Sequence, residues 1–266
     1  MNLSISNLAW NAEQNEEVYS IMHKCGFSAL EIAPTKIFPK EPYSKTKEAS
    51  AWAEDLRRKH EFCISSMQSI LFGRSENLFS AESERKTLFE YTKKAIDFAS
   101  AIGCKNLVFG CPKNRNMPNG ADFAAYAEIA SQFFRALGEY AASKNTCVSL
   151  EANPAIYGTN FANTTAEAIS IVKKVGSGGF KLNLDVGAMI QNGEDISVLK
   201  ENVSLINHIH ISEPFLKKIE KRDLHKELFD FLRKENYALF VSVEMGLQEN
   251  IGDIEDALKY IADLLR

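Results

Sequence analysis

Short apolar runs alternate with longer stretches of helical periodicity along the whole 266-residue chain. The runs are rich in β-branched and aromatic residues and predict strands at Leu3–Asn7, Ala29–Ile32, Cys63–Gln68, Asn106–Phe109, Cys147–Glu151, Lys181–Asp185, His208–Ile211 and Phe240–Glu244. Between them, apolar residues recurring at three- and four-residue steps predict helices at Asn15–Cys25, Thr46–His60, Glu82–Ile102, Ala121–Ser143, Thr165–Val175, Ile196–Asn202, Leu224–Glu235 and Ile254–Leu265. Local signals agree: Gly26 and Gly103 stand just past two helices, and Asn163-Thr164-Thr165 with Glu167 forms a helix-start signature.

Strict alternation of strand and helix implies a parallel sheet covered by helices, either closed into a barrel or open and doubly wound. An open dinucleotide-binding sheet would carry a glycine-rich turn after its first strand. Here Ser6-Asn7-Leu8-Ala9-Trp10 follows, and neither GxGxxG nor GxxxxGK[ST] occurs, which argues against NAD and ATP. Eight units, no Pro/Gly/Ser-rich linker and this length predict an α/β fold, a (β/α)8 TIM barrel in which residues 1–266 form one domain.

Composition narrows the function rather than the fold. With 45% apolar and 25% charged residues the chain is an ordinary globular one, and its formal charge of -4 argues against nucleic acid as a partner, leaving a small molecule. The N-terminal MNLSISNLAW lacks the charged and apolar segments of a signal peptide, and no apolar run approaches roughly 18 residues, so no membrane association and a cytoplasmic location are expected. Five cysteines, scattered and without CxxC spacing, suggest buried thiols in a reducing compartment; Cys111, at a strand end after Gly110, is the one candidate for a reactive thiol.

The chemistry sits where four strands end: Val148-Ser149-Leu150-Glu151, Leu182-Asn183-Leu184-Asp185, His208-Ile209-His210-Ile211 and Val241-Ser242-Val243-Glu244. Side chains alternate faces along a strand, so Ser149/Glu151, Asn183/Asp185, His208/His210 and Ser242/Glu244 each share one face, opposite the apolar residues that pack under helices. That polar face is then the barrel interior, with the charged residues at the C-terminal rim where barrel active sites lie. Three carboxylates converging there would repel unless protonated, paired with Lys or Arg, or joined by a cation. A divalent ion held by Glu151, Asp185, His210 and Glu244 is the economical solution, and this oxygen-rich set suits Mn²⁺, Mg²⁺ or Co²⁺, with Zn²⁺ also compatible.

The same set, Glu151, Asp185 in LDVGA, His210 in HIHISE and Glu244 in SVEMG, resembles the sugar phosphate isomerase/epimerase family of xylose-isomerase-like barrels, which includes ketose 3-epimerases and hydroxypyruvate isomerases. The resemblance covers essentially the whole chain. It implies an isomerase or epimerase acting on a small sugar, sugar phosphate or hydroxy-ketone through an enediolate. One divalent metal would hold adjacent oxygens while Glu151 and Glu244 remove and return the proton as acid and base. Two positions depart from the pattern. Ala188 stands where relatives of this kind carry histidine, as in DxGH, and Leu216 stands where HxxExxR would place arginine after His210 and Glu213.

Further candidates surround this set. Gln68 and Glu31 lie on interior positions of their strands and are expected to orient ligands, touch substrate or serve as satisfied core polar groups; Asn153 and Tyr157 sit on the fifth strand-to-helix loop; Glu213 follows the histidine ligand. Lys113 and Arg115 are candidates for gripping a phosphate or carboxylate, and Trp10 for an apolar wall against a sugar ring. His208 reads as a deeper core histidine, and Pro214–Asp223 as a loop able to fold over the rim and bring His225 towards it. A metal-dependent lyase or dehydratase would need the same proton abstraction. An endonuclease IV-like phosphodiesterase would need more histidines than the five present, and a non-enzymatic binding barrel is the remaining alternative. A homo-oligomer is compatible with the sequence, although no motif specifies one.

Overall fold

A computed structural model describes all 266 residues, Met1–Arg266. Eight strands, β1 (Asn2–Ser6), β2 (Ala29–Ile32), β3 (Cys63–Met67), β4 (Leu107–Phe109), β5 (Val148–Glu151), β6 (Phe180–Asp185), β7 (Ile206–Ser212) and β8 (Phe240–Glu244), pair in parallel and in sequence order, and β8 returns to β1 to close the barrel. The chain is thus a single-domain (β/α)8 barrel, as the alternation predicts.

Nine α-helices cover it: α1 (Asn15–Cys25), α2 (Pro34–Ile37), α3 (Thr46–His60), α4 (Glu82–Ala101), α5 (Phe123–Ser143), α6 (Thr165–Val175), α7 (Val186–Asn192), α8 (Asp223–Lys234) and α9 (Ile251–Leu265). Capping chemistry sets several boundaries. Thr164 and Glu167 form the expected capping box at the start of α6, and α1 ends on Gly26 in the left-handed conformation at φ 77°. The sixth unit differs from expectation. Ile196–Leu199 is only a 3-10 turn, and the helix of that unit begins immediately after the strand, at Val186. The Asp185 side chain accepts a hydrogen bond from Gly187 N and caps α7, so one residue ends the strand, starts the helix and faces the rim.

The apolar core lies between barrel and helices, with Leu3, Ile5, Leu30, Ile32, Leu182, Leu184, Val241 and Val243 on the outward strand faces meeting the helices. The barrel interior is polar, unlike the branched aliphatic filling usual for this fold. Its lower part is sealed by short hydrogen bonds: Ser4 to Ser242 at 2.7 Å, Ser149 to Asn106 at 2.6 Å and Asn106 to Ser66 at 2.9 Å. No helix is long and apolar enough to cross a membrane.

Two bulges aim site residues inward. In the β2–β3 pairing Leu30 stands opposite Ile64 but Glu31 opposite Ser66, so Ser65 is an extra residue. In the β6–β7 pairing Leu182 stands opposite Ile206 but Asn183 opposite His208, so Asn207 is extra. A one-residue insertion reverses which face the following side chains occupy. Without it, Ile209 rather than His210 would stand beside Asp185.

Candidate active site

At the C-terminal mouth, Glu151, Asp185, His210 and Glu244 line one cavity of about 310 Å³. Register brings them there: Asp185 is opposite His210, and Ser212, two residues on, is opposite Glu244. His210 is the hub. Its Nδ1 lies 3.0 Å from Glu151 Oε1 and 3.1 Å from Glu244 Oε2, while its Nε2 lies 2.8 Å from Glu31 Oε2. With Glu31 ionised, its carboxylate accepts a hydrogen bond from Nε2–H, so when Nδ1 loses its own proton the lone pair points at the two glutamates.

Each carboxylate is held by its surroundings. Asn183 Nδ2 donates to Glu151 Oε1 at 2.8 Å and Asn153 Nδ2 donates to Glu151 Oε2 at 3.1 Å. Ser212 Oγ and Gly187 N both donate to Asp185 Oδ1, leaving Oδ2 without a protein partner. Gln68 Nε2 donates to Glu31 Oε1 at 3.3 Å and to Ser6 Oγ at 2.8 Å, so Gln68 both lines the cavity and steadies the group beneath His210.

The electrostatics are those of crowded, buried charge. Burial and the neighbouring Glu151 and Glu244 carboxylates push the Asp185 carboxyl up to about 7. Burial likewise raises Glu244, against the pull of His210. Burial alone would lower the His210 imidazole, but Glu244 and Glu31 outweigh it and hold the ring well above its ordinary value. For Glu31, burial is outweighed by His210 and His208, and the carboxyl stays below the usual range.

Three carboxylates and one imidazole are, by donor type, the kind of set that suits a divalent cation. His210 Nδ1 stands about 3 Å from one oxygen of Glu151 and one of Glu244, a distance at which it hydrogen-bonds to both and at which two ligands of one ion would also stand. The group whose ligand atoms all fall within 4.8 Å of one another is a different one, Glu31, His208 and His210, one layer deeper. Glu31 and His208 are sealed from solvent and do not line the cavity, so an ion there would have no open position for substrate. His208 is indeed a core histidine, its ring set edge-on to that of His210 with centres 5.4 Å apart.

Some sequence candidates fall elsewhere. Arg115 is completely buried: its guanidinium donates to the carbonyls of Phe109 and Glu151 and, at 2.5 Å, to Asn153 Oδ1. It fastens the β4 and β5 ends together and is closed to an incoming anion. Lys113 is exposed and does not line the cavity. Trp10 is buried against its own loop, its indole N–H donating to Asn15 Oδ1 at 2.8 Å, and lines a separate side cavity. Burial pushes the Cys111 thiol up to about 11, the opposite of what an activated nucleophile needs. His225 is buried against Tyr260 and stays away from the rim. Asn153, Glu213 and Tyr157 do line the cavity.

Two participants carried no clear sequence signal. Gly110 sits against Glu151: a Cβ there would fall on Glu151 Oε2 and lie 2.9 Å from Cδ. Arg222 grips Glu213 with two bonds of 2.7 and 2.6 Å from its guanidinium. Arg222 lies nine residues beyond Glu213, so their pairing depends on the path of the loop between them rather than on a short sequence spacing.

The barrel is closed and parallel, and carboxylates and an imidazole converge at its C-terminal mouth. Residues 20–264 match the family described as Xylose isomerase-like TIM barrel, and the chain belongs to that family. No curated protein sequence matches it. Among solved structures, 3-keto-D-glucoside 4-epimerase from E. coli superposes with a TM-score of 0.78 at 19% identity, covering 99% of each chain. D-psicose 3-epimerase from Clostridium cellulolyticum H10, solved with D-tagatose, gives 0.78 at 16% identity over 100% of each chain. The IolI protein, solved with a binding zinc atom, gives 0.72 at 18% identity over 100% of this chain and 98% of that one.

Proposed function

We propose that the protein is a divalent-metal-dependent isomerase or epimerase that moves a proton on a carbon next to the carbonyl of a small sugar-like substrate, with Glu151 and Glu244 as acid and base. The observation that carries this reading is the meeting of Glu151 and Glu244 from two sides on His210 Nδ1, 3.0 and 3.1 Å away, at the floor of an open cavity. Two carboxylates facing one another across a substrate site can take a proton from one face of a carbon and return it to the other.

Glu151, Asp185, His210 and Glu244 would hold the ion, which when bound supplies a Lewis acid that makes the carbon-bound proton more acidic. Glu31 keeps the His210 ring in the tautomer that presents Nδ1, and Asn183 and Asn153 hold the Glu151 carboxylate in place. Glu244 carries no bond from an asparagine, so its carboxylate is less tightly held than that of Glu151. The similarity in fold to epimerase structures supports the same reading.

The test is incubation in D₂O with a panel of ketoses, ketose phosphates and hydroxy-ketones, with metal stripped and with Mn²⁺, Mg²⁺, Co²⁺ or Zn²⁺ restored. Metal-dependent deuterium uptake next to the carbonyl is expected. Uptake accompanied by loss of water would make the protein a lyase, and no uptake across the panel would overturn the proposal.

A further inference from the structure

The cavity has an apolar lip that the proton-transfer chemistry does not use. Tyr157, after β5, and Phe215, after β7, meet edge to face with ring centres 5.5 Å apart, and both line the cavity with Leu8, Pro112 and Leu216. Phe215 is 61% exposed, so its ring gains little from packing against the protein itself. It is nevertheless held in a costly conformation: Phe215 and Leu216 are consecutive non-glycine residues with φ of 62° and 53°.

Several bonds impose that conformation. Phe215 N donates to Tyr157 Oη at 2.9 Å, Leu216 N donates to Glu213 O at 2.9 Å, and Leu216 O accepts from Gly246 N at 2.8 Å. Glu213 is in turn gripped by Arg222. A strained turn pinned at both ends to hold an aromatic ring in water at the edge of a cavity points to a ligand that covers the ring.

The charge distribution narrows that ligand. Four carboxylates, Glu151, Asp185, Glu213 and Glu244, line the cavity, and no lysine or arginine side chain does. Arg115 is sealed behind the wall, and Arg222 is shared between Glu213 and Glu220, at 2.6 and 3.0 Å. A phosphate held away from the ion would find no cationic side chain here and would face the carboxylates of Glu151, Asp185 and Glu244.

Building on the proton-transfer reading, we infer that Phe215 and Tyr157 determine specificity: the substrate is an uncharged keto sugar that lays a ring face or an apolar substituent on this pair, as a glycoside would, and sugar phosphates are excluded. The experiment measures binding by calorimetry and deuterium exchange by NMR for a free ketohexose, its 6-phosphate and a phenyl glycoside of a hexose that carries its ketone on a ring carbon other than the anomeric one, so that the carbonyl stays free. Wild-type and Phe215→Ala proteins are compared, with Phe215→Tyr as the conservative variant. The phosphate is expected to bind at least tenfold more weakly than the free sugar. Phe215→Ala should raise KM for the glycoside about tenfold with kcat nearly unchanged, and Phe215→Tyr should restore it, as expected for loss and recovery of one aromatic contact. Tighter binding of the phosphate, or a Phe215→Ala protein whose glycoside affinity is unchanged, would overturn the inference. Exchange on the phosphate would do so while leaving the proton-transfer reading intact; selective glycoside binding without exchange would do the reverse.

Discussion

Replacing Gly110 by alanine is a narrow perturbation of the proposed site, because the added methyl meets almost nothing except Glu151. Its Cβ would lie 3.3 Å from Val108 Cγ1, a tight contact, but would fall on Glu151 Oε2 and 2.9 Å from Cδ. Gly110 is not among the residues with positive φ, so alanine suits the backbone there. Relief therefore comes from the carboxylate, which must retreat by about 1 Å, and a displacement of that size at a reacting group costs on the order of 10²-fold. At about 1.36 kcal/mol per tenfold this is roughly 2.7 kcal/mol of transition-state stabilisation. The retreat also weakens the bonds from Asn183 and Asn153 that hold Glu151. Deuterium exchange kinetics should show kcat/KM lowered about 100-fold, while the protein stays folded with an unfolding temperature lowered by a few degrees, because the clash is with a side chain rather than the backbone but loosens buried hydrogen bonds to Glu151. Activity within threefold of wild type in a normally folded Gly110→Ala protein would refute the reasoning that Glu151 must occupy its present position.

Glu31→Gln should lower metal affinity about 10- to 100-fold, since Glu31 no longer fixes the His210 tautomer as a carboxylate; an unchanged chelator-competition curve would count against that role. Arg115→Met should destabilise the fold by about 2–4 kcal/mol in urea denaturation, because the buried carbonyls of Phe109 and Glu151 lose their donor; an unchanged midpoint would remove Arg115 from the framework. For pH, Asp185 is raised from 3.8 in the unfolded chain to about 7 in the fold, so the native state binds the extra proton. Its contribution to the stability of metal-free protein is then fully present below about pH 4 and is lost as pH rises towards 7. His210, also raised, adds a loss in the same direction at higher pH. Metal binding at pH 6 should therefore release at least one proton, measured by calorimetry in two buffers of different ionisation enthalpy, and no release would contradict the ligand set.

Where the fold could be read from sequence, the reason was period. The alternating strings ending in Glu151, Asp185 and Glu244 gave both the interior face and the rim position, and eight such units implied closure. What escaped the reading depends on geometry that periodicity does not encode. The bulges at Ser65 and Asn207 change which face a strand presents without changing composition, and the strand prediction for His208–Ile211 began just after the second one. The start of α7 was missed because Asp185 belongs to strand, cap and rim at once, and Gly187 reads as a loop residue. There, glycine is needed because a Cβ would lie 2.7 Å from Ser212 Oγ. Lys113, Arg115 and Trp10 looked like substrate contacts because loop residues after barrel strands usually face the mouth; burial and partners sent Arg115 and Trp10 elsewhere. Arg222 was invisible because its pairing with Glu213 depends on the path of the intervening loop.

The central claim is that Glu151 and Glu244 both exchange a substrate proton with solvent. It is tested most directly by following deuterium uptake from D₂O by NMR in wild-type, Glu151→Gln and Glu244→Gln proteins matched for bound metal by elemental analysis. Metal-dependent uptake in the wild type, lowered at least 10³-fold in each folded, metal-bearing variant, is the predicted result. Uptake that persists in either variant at the wild-type rate, or is the same after the metal has been stripped, would contradict the account.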